Sequence, residues 1–295
     1  MNAQDIKAAA QSLSLDACGI APLPFPLSFA EILSKEPAIP FVPIDVRKRT
    51  DAAALLPGAC AAIVVLFPYK TETEETSTNI ALYARARDYH RINRTYLSRL
   101  AAILSEKAPD AAFLPICDTS PLVDRHLAYL AGLGFYGKNH CLIHPKYGSY
   151  FTIGALLTNL NLPADTPLSL SCGTCIKCIA ACPGHALSET NLQRNRCKSY
   201  LTQKKELTPE EETVIKRTPI IFGCDECQTH CPYNESAAAS PLPELRDARI
   251  ARLEKNDLAL LSHRAFEKKY ADYAFAWRGK NILLRNIELT KPPLL

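Results

Sequence analysis

Eight of the twelve cysteines in this 295-residue chain lie between Cys172 and Cys231. The first run is Cys172-x2-Cys175-x2-Cys178-x3-Cys182-Pro183, and the second is Cys224-x2-Cys227-x3-Cys231-Pro232. The x2 spacing lets one loop wrap a cubic iron–sulfur cluster with its backbone N–H groups turned toward the sulfides. A proline after the last cysteine keeps the following turn from folding back over the cluster. The second run lacks a first cysteine, which would fall at Ile221; Cys197 is the replacement at hand. Eight thiolates are the ligand count for two [4Fe-4S] clusters.

In two-cluster ferredoxins the fourth cysteine of each run reaches the other cube. On that pattern Cys172, Cys175, Cys178 and Cys231 share one cluster, and Cys182, Cys197, Cys224 and Cys227 share the other. Exchanged ligands hold the cubes close, as transfer between them requires. Zinc and disulfides are the competing readings. Zinc uses four ligands, commonly as two separated CxxC pairs, and consecutive x2 spacing overfills that need. Disulfides belong to oxidising compartments, and the N-terminus Met1-Asn-Ala-Gln-Asp5 shows no secretory pattern. The expectation is a cytoplasmic protein, with no apolar run near the roughly 20 residues of a membrane span. A net charge of +4 permits an anionic partner such as RNA without demanding one.

A two-cluster module alone needs only about 60 residues. The chain preceding the cysteines implies that electrons are delivered to something held there. Ala59–Phe67 reads as a buried strand ended by Pro68, and residues 4–15 as a helix. The Pro-rich stretch Pro22–Pro43 reads as irregular, and Thr71–Thr78 as a polar loop. From Asn79 to Lys107 the pattern is helical, with Ile92, Tyr96, Leu100 and Ile103 on one face. Ala112–Cys117 is a second strand, a helix is expected from Asp118 to Leu133, and His140–Leu157 reads as a β-hairpin. Pro241-Leu-Pro243 reads as a linker, and the basic helical tail stops at Pro292-Pro293. The expected class is α+β. An α/β domain over 1–165 precedes a ferredoxin-like two-cluster domain over 166–240 and a helical tail over 241–295.

Asp118 falls where open α/β sheets bind ligands, and serves either as a helix cap or as an acid. Asp124 and Arg125 read as an exposed or structural pair, and Arg49 as an anion contact or a solvated loop residue. Arg85, Arg87, His90, Arg91 and Arg94 form a basic cluster on the helix expected from Asn79, with Arg87, Arg91 and Arg94 on one face, able to meet phosphates or simply solvated. Cys18, Cys60, Cys117 and Cys141 read as buried packing. There is no GxGxxG, Walker A or GxSxG motif.

Several segments together resemble the epoxyqueuosine reductase family. They are Tyr83-Ala-Arg-Ala-Arg-Asp-Tyr-His90, Cys117-Asp-Thr-Ser-Pro-Leu-Val-Asp-Arg125, Ala131-Gly-Leu-Gly-Phe-Tyr-Gly-Lys-Asn139 and Tyr147-Gly-Ser-Tyr150. The likeness continues through the first cysteine run, Arg196-Cys-Lys-Ser-Tyr-Leu-Thr-Gln203, Phe222-Gly-Cys-Asp-Glu-Cys-Gln228 and Trp277-Arg-Gly-Lys280.

The resemblance implies a base-off cobalamin between the first domain and the clusters. It also implies reduction of epoxyqueuosine to queuosine at the wobble position of a tRNA. By the same likeness Asp118 is the proton donor beside the cobalt, with a pKa raised by the apolar corrin. Arg49, ahead of Leu55-Leu-Pro57, contacts cobalamin, as do Ser199 and Asp225 more weakly. Opening an epoxide to an alkene needs two electrons and a proton for the departing oxygen. A donor such as ferredoxin or flavodoxin is implied, and a monomer is expected. Family members often continue into C-terminal helical repeats; the chain resembles a short form without them, in which Arg278, Lys280 and Arg285 remain for phosphate. The alternatives are an iron–sulfur electron carrier, a corrinoid-dependent reductase of another substrate, as in reductive dehalogenases, and a zinc-stabilised nucleic-acid-binding module.

Overall fold

The computed structural model describes residues 1–35, 41–73, 75 and 77–290. Parts of the Pro-rich and Thr71–Thr78 stretches, and Pro292-Pro293, lie outside the described residues.

The central sheet has four strands in the order β1-β2-β6-β3: β1 Cys18–Pro22, β2 Ala61–Pro68, β6 Phe151–Thr158 and β3 Phe113–Cys117. β2 is buried at all eight positions, because both sheet faces are covered. Ile63, Val65 and Phe67 meet helices α1 (Ala3–Ser12) and α4 (Tyr89–Lys107) on one face. Ala62, Val64 and Leu66 pack toward α5 (Asp124–Leu130) on the other. The period of two along a strand makes this division automatic. The short helices α2 (Leu27–Lys35) and α3 (Val46–Thr50) lead from β1 into β2.

The α+β class holds, with two refinements. All three pairings in the sheet are antiparallel, so the edge rule of doubly wound parallel sheets is not what positions Asp118. And His140–Leu157 is not a hairpin. β4 (Phe135–Tyr136) pairs with β5 (Leu142–Ile143), and β6 runs on into the sheet centre. The tight turn between β5 and β6 closes through His144 and Gly148.

Three local readings also shift. The Pro-rich stretch contains α2, whose Leu33 is buried. The helix expected from Asn79 starts at Tyr89, where the Asp88 side chain accepts from the His90 N–H at 3.0 Å. Before it, residues 79–84 bond to the cysteine segment and the tail. Ala81 N–H donates to Phe222 O at 2.9 Å and Asn79 Nδ2 to Leu253 O at 2.8 Å. Pro241–Pro243 is not a free linker, because Leu242 and Leu245 are buried in the same core as α1 and α4.

The cysteine-rich segment joins the sheet through buried amides. Asn234 accepts from Ser149 N–H at 2.7 Å and donates to Ser149 Oγ at 2.9 Å and to Gln228 O at 2.7 Å. Gln228 Nε2 donates to Ser149 O at 2.8 Å. A second clamp comes from the tail, where buried Asn286 donates to Thr202 O and Ile221 O, both at 2.8 Å.

Gly148 sits against the first joint at φ +56°, where a Cβ would lie 1.9 Å from Asn234 Oδ1. Gly173 has a similar φ of +54° with open space around it. Gly148→Ala is therefore expected to lower the thermal unfolding midpoint well beyond Gly173→Ala. The latter meets only the left-handed backbone cost of about 1–2 kcal/mol. Equal midpoints would show that the joint carries no load.

Candidate active site and metal-binding segment

A cavity of about 670 Å³ opens between the sheet and the cysteine segment. That volume lies within the range of small-molecule and cofactor sites. Tyr69, Tyr83, Tyr89, Phe151 and Ile153 supply its apolar walls, with Asp118, Asp124, Arg125 and Arg49 among the polar groups.

Asp118 follows β3 with φ +44°. Thr119 N–H donates back to Cys117 O, which folds the chain into a tight turn. The carboxylate is not a helix cap, since α5 begins only at Asp124 and has no side-chain cap. Instead Asp118 Oδ2 accepts from Tyr89 Oη at 2.7 Å and from His90 Nε2 at 2.9 Å. His90 Nδ1 faces Asp88 Oδ1 at 2.7 Å. Two carboxylates thus flank one imidazole, and their hydrogen bonds, Asp118's first, push the His90 pKa up to about 9.

Among the chain's own groups the same bond acts against the raised pKa expected for Asp118 beside a corrin. The His90 hydrogen bond holds the Asp118 carboxyl below its usual range, against the opposing effect of burial. The proton-retaining acid is Asp124, raised to about 7 by burial and then by the Asp118 charge. Its Oδ2 accepts from Asp118 N–H at 2.9 Å, while its buried Oδ1 has no partner among the described residues. The sequence suggests an exposed or structural pair of Asp124 with Arg125, and the fold turns the Asp124 carboxylate onto the Asp118 backbone. The clue to its role was the six-residue offset that lets its carboxylate meet the Asp118 turn.

Arg49 is buried at the cavity wall. Ser199 and Asp225 do not line the cavity; they stand behind Tyr83, which bonds to Ser199 and feels the Asp225 charge. Asp225 Oδ2 accepts from Leu82 N–H at 2.5 Å. The basic helix face is largely spoken for. Arg85 is buried and donates to Ile80 O at 2.8 Å, and Arg87 and Arg91 both bind Asp272 of the tail.

The cysteines gather as two sets. Cys172, Cys175, Cys178 and Cys231 line one small cavity beside Asn139 and Ile143. Cys182 is buried with Cys197 and Cys227 packed beside it, and Cys224 senses the Cys197 charge. All are free thiols. Backbone N–H groups point at the sulfurs: Ala186 N–H donates to Cys182 Sγ at 3.3 Å and Lys138 N–H to Cys172 Sγ at 3.5 Å. Burial pushes the Cys224 thiol up to about 12, so a metal cation is what would hold it as thiolate. An all-sulfur donor set of this kind fits iron–sulfur clusters.

Cys141 was read as packing, yet its thiol hydrogen-bonds Cys227 and lines the large cavity. Gln228, next in sequence to Cys227, also lines that cavity. The second cysteine set therefore lies directly behind the cavity wall.

Comparisons with known proteins follow this geometry. A family model described as epoxyqueuosine reductase QueG matches residues 49–119, and one described as a 4Fe-4S double cluster binding domain matches residues 171–234. An epoxyqueuosine reductase of Bacillus cereus is 34% identical over 299 residues, covering 96% of this chain and 78% of the relative. The chain belongs to the epoxyqueuosine reductase family. A reductase of Bacillus subtilis is 36% identical over 82% of the chain and 65% of its own length. An epoxyqueuosine reductase solved with an epoxyqueuosine-modified tRNA-Tyr stem loop superposes with a TM-score of 0.86 at 31% identity, covering 97% of this chain and 80% of that one. The Streptococcus thermophilus epoxyqueuosine reductase gives a TM-score of 0.83 at 29% identity, covering 98% and 81%. Like them this family member is an oxidoreductase with a double [4Fe-4S] domain, and no described helix is long and apolar enough to cross a membrane.

The site's charge pattern sets a pH dependence. Folded Asp124 keeps a proton that the unfolded chain releases near 3.8, so its contribution to stability falls as pH rises through about 7. Folded His90 keeps its proton to about 9 against 6.5 unfolded, so its stabilisation is full below 6.5 and is lost as pH rises through 9. Asp124→Asn should raise the unfolding midpoint at about pH 8, and His90→Gln should lower it at about pH 6. Midpoints measured across the pH range check both, and parallel curves for variant and wild type would remove the assignment.

Proposed function

We propose that this chain reduces epoxyqueuosine to queuosine in the anticodon loop of a tRNA, with cobalamin in the large cavity and two [4Fe-4S] clusters behind it. The observation that carries the reading is the meeting of three things at one cavity: the hydrogen-bonded Asp118, an apolar tyrosine-lined wall, and the cysteine segment, which reaches it at Gln228 and through the Cys141–Cys227 contact. An electron carrier without a substrate gives no reason for the Asp118–His90–Asp88 array.

The cavity fits a large flat cofactor, with aromatic walls for its faces and Arg49 for a polar substituent. The ligand sets are Cys172, Cys175, Cys178 and Cys231 for the outer cluster, and Cys182, Cys197, Cys224 and Cys227 for the inner one. When bound, the clusters supply single electrons and cobalamin a centre that accumulates them. Converting an epoxide to an alkene consumes two electrons and two protons, and the oxygen leaves as water.

The chain's own residues manage the protons. Asp88 fixes the His90 ring through Nδ1, leaving the Nε2 proton aimed at Asp118 Oδ2. Transfer along that bond gives a protonated Asp118 at the cavity wall, able to donate to the departing oxygen. Tyr89 holds the same oxygen from the other side and fixes the carboxyl rotamer.

Asp118→Asn is expected to retain iron content, visible absorbance and bound cobalamin while turnover of epoxyqueuosine stem-loop RNA drops by about 10²–10⁴-fold. Nucleoside mass spectrometry after anaerobic reduction reads this out. Unimpaired turnover would remove Asp118 from the chemistry, and a wild type that makes no queuosine under strong reductant would remove the proposed activity. Cys172→Ala should lose about half the bound iron, because only the outer set is broken.

A further inference from the structure

At the cavity rim three segments distant in sequence bring together exposed rings. Phe41 is 58% exposed and Trp277 53% exposed, which is unusual for side chains of this size when clustered. The Phe41 ring lies 5.4 Å from Tyr200 and 5.5 Å from Trp277, centroid to centroid. The Arg278 guanidinium stacks 3.8 Å from the Trp277 ring and 4.8 Å from that of Phe41. Trp277 Nε1 donates to Gln203 Oε1 at 2.9 Å, which fixes the indole plane while about half of the side chain stays exposed. Phe41, Val42 and Pro43 are themselves cavity wall, so the ring cluster adjoins the entrance used by any substrate reaching Asp118.

The other tail cations expected to meet phosphate are engaged inside the protein. Lys280 donates to Leu261 O, and Arg285 donates to Lys204 O and Lys205 O at 2.9 and 2.7 Å. Arg278 differs, since no carboxylate pairs with it among the described residues. Flat apolar faces interleaved with an unneutralised guanidinium are the chemistry that holds an unpaired nucleobase and its phosphate. A protein partner would leave the cation without a role, and an aliphatic ligand would leave the planar faces without one.

Resting on the RNA substrate argued above, we propose that Phe41, Tyr200, Trp277 and Arg278 form a stacking platform for a loop nucleotide adjacent to the one that enters the cavity. The reacting nucleoside must leave the stack of its neighbours to reach Asp118. A platform at the rim replaces the stacking that the neighbouring base loses and so keeps the loop open. Ring faces accept any base, so the platform confers affinity for an unpaired loop with little sequence preference.

The test is a double-mutant cycle on the cobalamin-loaded, cluster-containing protein. Binding of a fluorescently labelled anticodon stem-loop RNA is measured by anisotropy, for the intact RNA and for versions with each unpaired loop base in turn made abasic. For the wild type, one abasic position beside the modified base should weaken binding about tenfold or more. For Trp277→Ala and for Phe41→Ala, intact RNA should bind about tenfold more weakly, and the same abasic change should then cost almost nothing. Arg278→Gln should flatten the salt dependence of binding.

Cobalamin retained after gel filtration is measured on the same samples. The platform is overturned if the variants bind intact RNA like the wild type, if they weaken intact and abasic RNAs equally, or if they lose cobalamin instead of base coupling. Wild-type turnover separates the two readings. Queuosine formation without base coupling removes the platform alone, whereas a wild type that neither binds nor converts the RNA removes both.

Discussion

The small amide joint at Ser149, Gln228 and Asn234 holds the rest of the molecule in relation. These buried side chains exchange hydrogen bonds with one another and with backbone groups of both halves. A buried polar group left without a partner costs about 1–3 kcal/mol, so the network is strongly selective for one docking of the cysteine segment on the sheet. Because Gln228 follows Cys227, the docking that satisfies the amides also sets a cysteine against the cavity wall through Cys141. Distance between redox segment and cavity is thus fixed by neutral hydrogen bonds that no reduction step perturbs directly.

A second competition governs the proton inventory. Desolvation pushes the Asp118 pKa upward, the direction the sequence led one to expect. The imidazole of His90 reverses this by stabilising the charged form, and the proton is held one bond away. Asp124, whose carboxylate accepts only a backbone N–H among the described residues, shows burial winning over the weaker pull of the Arg125 charge. Two aspartates six positions apart, one in the turn after β3 and one opening α5, therefore have their pKa values moved in opposite directions for reasons visible in their surroundings.

The sequence made much of this legible, and the illegible part has a physical pattern. The cysteine runs speak through covalent spacing, which by itself proposes a division into two sets. Buried strand β2 and the apolar stripe of α4 speak through periodicity. What periodicity does not encode is which strand neighbours which. A central antiparallel β6 was therefore taken for half of a hairpin, and the five-residue β1 was missed. Asp118 was found by resemblance and by its place after a strand, but its partners Tyr89 and His90 lie on another helix start. No local pattern ties them to it. Leu242 looked like linker because prolines flank it, although its burial depends on helices near the other end of the chain.

The antiparallel pairing of β2 with β6 joins residues roughly ninety positions apart. During synthesis the middle of the sheet must wait for that late strand to emerge, and the β2 edge opposite β1 stays unpaired until it does. Ser149 stands just ahead of β6, so the surface that receives the cysteine segment is completed at the same moment. Maturation then has a built-in sequence: a nascent chain closes its sheet first, and metal loading follows on a scaffold already formed. Chains stalled before that closure would present an unprotected apolar strand and be natural clients of the chaperone machinery.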